Sequence, residues 1–117
     1  MTTQEVANRL VDLSREGKFE DAQVELYADN AIALESPGGA FANANNKQEV
    51  IEGGRKFRST LKEIHGLEIS DPIVNGPVFA FSFTLDATYQ NDARVLFHEI
   101  CSFKVHEGKI VNSSFFY

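Results

Sequence analysis

Glu99 stands in "FHEICSFKVHEG", where Phe97, Cys101, Phe103 and Val105 share its parity along an alternating strand pattern. A carboxyl on the apolar side of a strand loses hydration, which disfavours its charged form and raises its pKa toward the range useful to a general acid or base. Glu35, His65 and Tyr117 are its candidate companions. A carboxylate with a second carboxylate, an imidazole or a phenol is enough to move a proton on a carbonyl compound. The same carboxyl could instead anchor the polar group of a bound ligand, accept hydrogen bonds from Tyr or Ser neighbours, or stay solvated at a rim.

The other chemically able residues have plainer readings. His65 falls at the end of a helical pattern, where imidazoles commonly meet the last carbonyls, and His98 and His106 have outward parity. Cys101, inward and without a basic neighbour in sequence, reads as a small core residue. No His, Cys and carboxylate spacing matches a metal site, and no phosphate loop or nucleophile elbow occurs, so neither metal nor cofactor is expected. "SPGGAF" has turn residues and lacks the Lys-Ser/Thr of a phosphate loop.

The elements that would position these residues follow from periodicity. Thr2 and Glu5 have capping-box spacing, Val6, Leu10 and Leu13 share a helical face, and Gly17 is a stop signal. Phe19, Ala22 and Leu26 mark a second helix ending at "YADN", and "AIALES" a short strand. Asn46 caps a third helix, "KQEVIEGGRKFRSTLKEI", whose inward stripe is Val50, Gly54, Phe57, Leu61 and Ile64. Gly54 implies either close helix packing or space left for a ligand. From His65 the period becomes two, with Asn-Gly, Asn-Asp and Glu-Gly turns between Phe- and Val-rich runs. Helices first and strands last predict an α+β fold.

Parity sorts the strands. Phe79, Phe81, Phe83 and Leu85 face inward, as do Phe97, Glu99 and Cys101, and in the last strand the Val111, Ser113, Phe115 and Tyr117 set is preferred over Ile110, Asn112 and Phe116. Periodicity alone puts Glu35 outward. The outward set, including Val78, Ala80, Ser82, Leu96, Ile100 and Phe116, is mildly apolar with small side chains, the character of a sheet-to-sheet homodimer interface.

The 117 residues suit one domain spanning 1–117. A net charge of -6, with Lys and Arg scattered, argues against nucleic acid as a partner. One cysteine and no secretory leader predict a cytoplasmic protein, and the apolar runs are too short for a membrane span.

Two helices, "YADNAIALESPGG", a long third helix and strands finishing in "HEGKIVNSSFFY" resemble the nuclear transport factor 2-like superfamily and, within it, SnoaL-like domains. The resemblance implies a cone-shaped bent antiparallel sheet wrapped around three N-terminal helices, as in cystatin-like folds, with a pocket at the wide end and dimers through the sheet. It turns Glu35 into the pocket, against its periodicity. It does not supply a reaction: ketosteroid isomerases carry a Tyr on the first helix, where this chain has none. SnoaL-type cyclases use an Asp on the last strand and a His or Asp on the strand before, where Phe115 and Cys101 stand.

The expected protein thus holds a small apolar or carbonyl-containing ligand among Phe57, Leu61, Phe81, Phe83, Phe97, Cys101 and Phe115, with Glu99 as anchor. A proton-transfer enzyme of the isomerase or cyclase type, using Glu99 with Glu35, His65 or Tyr117, is the alternative, and a dimerisation or docking module with a vestigial pocket is a third.

Overall fold

A computed structural model describes residues 1–39 and 41–117. Helix α1 (Thr3–Arg15) opens on the expected capping box: the Glu5 amide donates to Thr2 Oγ1 at 3.1 Å and the Thr2 amide to Glu5 Oε1 at 2.9 Å. It closes on Gly17 at φ +77°, where the Gly17 and Lys18 amides donate to the Ser14 and Leu13 carbonyls, a turn that a residue with a Cβ resists. Helix α2 is Phe19–Leu26 and α3 is Lys47–Ser59, the latter capped by Asn46 accepting from the Glu49 amide at 2.9 Å.

Six strands follow or interleave: β1 (Tyr27–Leu34), β2 (Leu61–Ile69), β3 (Ile73–Asn75), β4 (Val78–Tyr89), β5 (Arg94–His106) and β6 (Lys109–Phe116). The sheet order is β1-β6-β5-β4-β2, with β3 also paired to β4. All ladders are antiparallel except β1 with β6, so the predicted α+β cone is present with a mixed sheet. The turns fall where the dipeptides put them, with positive φ at Gly76, Asp92, Glu107 and Gly108.

The core lies between the helices and the concave face of the sheet. Val6, Ala7, Leu10 and Val11 of α1, Ala22 and Leu26 of α2, and Val50 of α3 meet Phe79, Phe81, Cys101, Phe103 and Ile110. Phe79 and Phe103, paired across β4 and β5, stack at 4.8 Å.

Three expectations need correction. The third helix stops at Ser59, capped at Thr60, and Leu61, Ile64 and His65 belong to β2. An apolar spacing of four and three is also compatible with a helix followed by a strand. Strand β1 begins at Tyr27, so "YADN" is strand, and Ala31 and Ala33 are its buried side while Leu34 is exposed. Ile110, assigned outward, is fully buried, because the β5–β6 register shifts between Lys104 and Val105 and an extra residue reverses parity there.

Gly54 belongs to helix packing. A Cβ there would lie 3.4 Å from the Gln23 side-chain amide and 2.9 Å from the tip of Arg58, whereas one on Gly53 meets open space. Gly53→Ala is therefore expected to raise stability by about 0.5–1 kcal/mol. Gly54→Ala should gain less because Arg58 must move, and urea midpoints of the two variants read the difference.

Candidate functional site

The site forms at the wide end of the cone, where β5, β6 and the end of β1 come together. Alternation along β5 puts Phe97, Glu99 and Cys101 on the concave face, and pairing sets Glu99 opposite Phe83 and Cys101 opposite both Phe81 and Phe115. Ile100 pairs with Phe116, so continuing that register by one residue brings Tyr117 alongside Glu99.

Glu35 arrives from β1. The parallel ladder matches Ala33 with Ser113 and Leu34 with Ser114, and Ala33 and Ala44 exchange amide-to-carbonyl bonds at 3.0 Å, holding the strand end against the segment before α3. The Glu35 amide donates to Asn43 Oδ1 at 2.8 Å. Next to it, Ser36 Oγ donates to the Phe115 carbonyl at 2.9 Å and accepts from the Tyr117 amide at 3.0 Å. One hydroxyl thus fixes the end of β6 and presents the Tyr117 ring. Gly39 completes the fit, since a Cβ there would come within 2.7 Å of the Tyr117 ring and hydroxyl.

Four rings close the wide end. Phe41 meets Phe57 at 5.2 Å, Tyr117 at 5.7 Å and Phe97 at 5.9 Å, all edge to face, while Phe97 lies 5.4 Å from Tyr117 and 6.0 Å from Phe57. The rings pack on one another, with Phe41 against the other three. Two surface depressions, of about 420 and 450 Å³, lie elsewhere, one beside Asn8, Arg15 and Asp71 and the other over Glu68, Ser82 and Thr84.

Electrostatics single out the carboxyls. Glu99 is pushed up to about 7 by burial, an effect that the thiol of Cys101, donating to Glu99 Oε1 at 3.2 Å, opposes and that Glu35 reinforces. Burial also raises Glu35, while the Tyr117 phenol beside it draws it down. Tyr117 is pushed up to about 12 by burial and then by the two glutamates, and burial raises the Cys101 thiol and the Tyr27 phenol, which lies at the floor against Ser113. These five groups act on one another, and every one of them is anionic when ionised. A carboxyl near 7 can both give and take a proton or a hydrogen bond at neutral pH.

The residues singled out from the sequence divide into three groups. Phe57, Phe97, Tyr117, Glu99, Cys101 and Glu35 converge here, the last sharing the parity of Ala31 and Ala33, the buried side of β1 that the sequence pattern put outward. Phe81, Phe83 and Phe115, ladder neighbours of Cys101 and Glu99, turn to other rings: Phe81 stacks on Phe103 at 5.3 Å, Phe115 meets Phe103 edge-on at 6.1 Å, and Phe83 meets Phe19 at 6.2 Å. Leu61 and His65 stand apart. Leu61 starts β2 opposite Tyr89, and the His65 imidazole hydrogen-bonds Thr88 Oγ1 at 2.6 Å, among the outward residues of β4, so it is no partner of Glu99. Phe41, Ser36, Gly39 and Tyr27 went unnoticed in the sequence. A single aromatic among the small residues between "SPGG" and "NNKQE" was the available signal for Phe41.

Because the folded protein holds the Glu99 proton to a higher pH than the unfolded chain does, the folded state binds more protons between about pH 4.5 and 7, and stability falls as pH rises through that window. The expected loss is about 1–2 kcal/mol, with allowance for solvent screening of a partly exposed carboxyl. Urea denaturation at pH 5 and pH 8 measures it, and Glu99→Gln should remove most of the dependence.

The sequence profile of the SnoaL-like domain matches residues 1–117. A candidate SnoaL-like polyketide cyclase from Mesorhizobium loti superposes with a TM-score of 0.92 at 29% identity, with both chains covered in full. A nuclear transport factor 2-like protein from Burkholderia thailandensis gives 0.86 at 14% identity over 99% of this chain and 90% of that one. TerC, crystallised with polyporic acid, gives 0.78 at 11% identity over 99% and 92%. A search of curated proteins finds no match.

Proposed function

Because the chain belongs to the SnoaL-like domain family, whose profile spans residues 1–117, we propose that it binds a small, mostly apolar molecule at its aromatic mouth, with Glu99 anchoring the ligand's polar group. The observation that carries this reading is a half-buried carboxyl beside four converging rings, an arrangement that costs folding free energy and that one thiol hydrogen bond offsets only in part. Binding sites are usually apolar concavities with a few such polar groups. That TerC, with the same fold, was crystallised with polyporic acid supports the choice of this end by analogy alone. Proton transfer is the weaker reading, since the places of the cyclase residues hold Phe115 and Cys101 and α1 carries no Tyr. A cytoplasmic setting suits the buried free thiol of Cys101.

In this reading Phe57 and Phe97 line the ligand, and Phe41 occupies the space it would take. Phe41→Ala should destabilise the fold by about 1–3 kcal/mol and tighten binding of a small aromatic molecule. Glu99→Gln should weaken binding of the native ligand by about 1–3 kcal/mol, a neutral amide having replaced the carboxyl. Native mass spectrometry of freshly purified protein identifies that ligand, and calorimetry with the two variants measures the changes. Unchanged affinity in both would place binding elsewhere.

The same proposal includes a homodimer through the outer face of the sheet. Leu96 and Ile100 of β5 and Phe116 of β6 are 60%, 50% and 59% exposed, and Ile100 and Phe116 are register partners near the centre of the sheet. Adjacent exposed apolar side chains of this size favour burial against a second copy. Ile100→Arg should set like charges against each other across the twofold axis and give monomers in sedimentation, whereas a monomeric parent protein at micromolar concentration would remove the dimer.

A further inference from the structure

The chemical class of the ligand can be narrowed by charge, an argument that rests on the mouth being the binding site. Tyr27, Glu35, Glu99, Cys101 and Tyr117 can each carry only negative charge. Among the described residues the ion pairs lie on other parts of the surface, and none includes Glu35 or Glu99. Asp86, outward on the same sheet, shows the usual solution, a two-pronged pair with Arg94 at 2.8 and 3.0 Å. At the mouth that counter-charge is missing. In its place are the rings of Phe41, Phe57, Phe97 and Tyr117, with Phe41 and Phe97 each within 5.2 to 6.0 Å of the other three.

We propose that the mouth selects small organic cations, an ammonium group on an aryl or alkyl body, with the nitrogen held by Glu99 and Glu35 and the body lying among Phe57, Phe97 and Tyr117 once Phe41 turns aside. Three physical terms favour that class. A desolvated carboxylate gains most from a paired donor that is itself charged. The negative faces of aromatic rings attract a cation and not an anion. The protein's net charge of -6 adds a weak field of the same sign. A ligand carboxylate or phosphate meets opposition from all three, and a neutral alcohol or ketone is left with an ordinary hydrogen bond. Glu99, near 7 in the free protein, would release its proton as the cation binds, so affinity for the cation should rise about tenfold between pH 6 and pH 8.

Three probes of one size and different charge test this on the full chain: benzylamine, benzyl alcohol and benzoate, titrated at pH 6 and pH 8 and followed by amide NMR shifts and calorimetry. Benzylamine is expected to shift the amides around Glu35, Glu99 and Tyr117 and to bind at least tenfold more tightly than benzyl alcohol at pH 8, with benzoate weakest. Glu99→Gln should reduce the benzylamine affinity to that of the alcohol and remove its pH dependence, and Glu35→Gln should reduce it partly. If all three probes shift the mouth amides with similar affinities, or if benzylamine is indifferent to Glu99→Gln, the cation assignment is wrong and the mouth remains a binding site. If no probe shifts those amides even in Phe41→Ala, the binding-site reading fails and the cation assignment with it.

Discussion

One constraint governs the rest of this structure: β5, with neighbours on both sides in the sheet, must bury one of its faces. Alternation leaves no choice about which residues go in. Once Phe97, Cys101, Phe103 and Val105 are committed to the helices, Glu99 goes with them, and a one-residue slip to expose it would turn that whole set toward solvent. The carboxyl is therefore held in place by the hydrophobic effect acting on its neighbours, and its raised pKa follows from their burial. The thiol of Cys101 and the phenol of Tyr117 are arranged around a charge problem that the strand created.

Much of this was legible in the chain. Parity was readable because Phe79, Phe81 and Phe83 recur at every second position in β4 and Phe97, Cys101, Phe103 and Val105 share one parity in β5, so Phe79, Phe81 and Glu99 were placed on the inner face. The helix caps were readable because Thr2 with Glu5, Asn46 and Gly17 are local chemistry. What was not legible depends on distant partners. The bulge between Lys104 and Val105 is a property of two strands together, and it reversed the assignment of Ile110. The end of α3 was hidden because Leu61 and Ile64 continue its spacing by coincidence. Glu35 was recovered only through a family likeness, since Ala31 and Ala33 look less like a core face than Ile32 and Leu34 do, although they are the side that packs.

Phe41 changes how the candidate site is understood. Family likeness leads one to expect an open wide end, and in this chain a ring from the segment between β1 and α3 lies there against Phe57, Phe97 and Tyr117. The ring shields apolar surface that would otherwise face water, which accounts for its edge-to-face contacts with three partners. A ligand must then replace those contacts as well as make its own. Size and shape selection follow from that competition, because a molecule too small to cover Phe57, Phe97 and Tyr117 gains less than Phe41 already supplies.

The hydroxyl of Ser36 joins parts of the chain that are 79 and 81 positions apart when it meets Phe115 and Tyr117. Nearby, β1 and β6 pair in parallel, with the whole of the intervening chain between them. Contacts between such remote segments bear the largest loop-closure entropy and form slowly. The β4–β5 hairpin and the capped helices can assemble from near neighbours, and the wide end waits for β1 to find β6. The wide end is thus the part of the fold whose contacts carry the greatest cost of chain closure, because its pieces come from the two ends of the sequence.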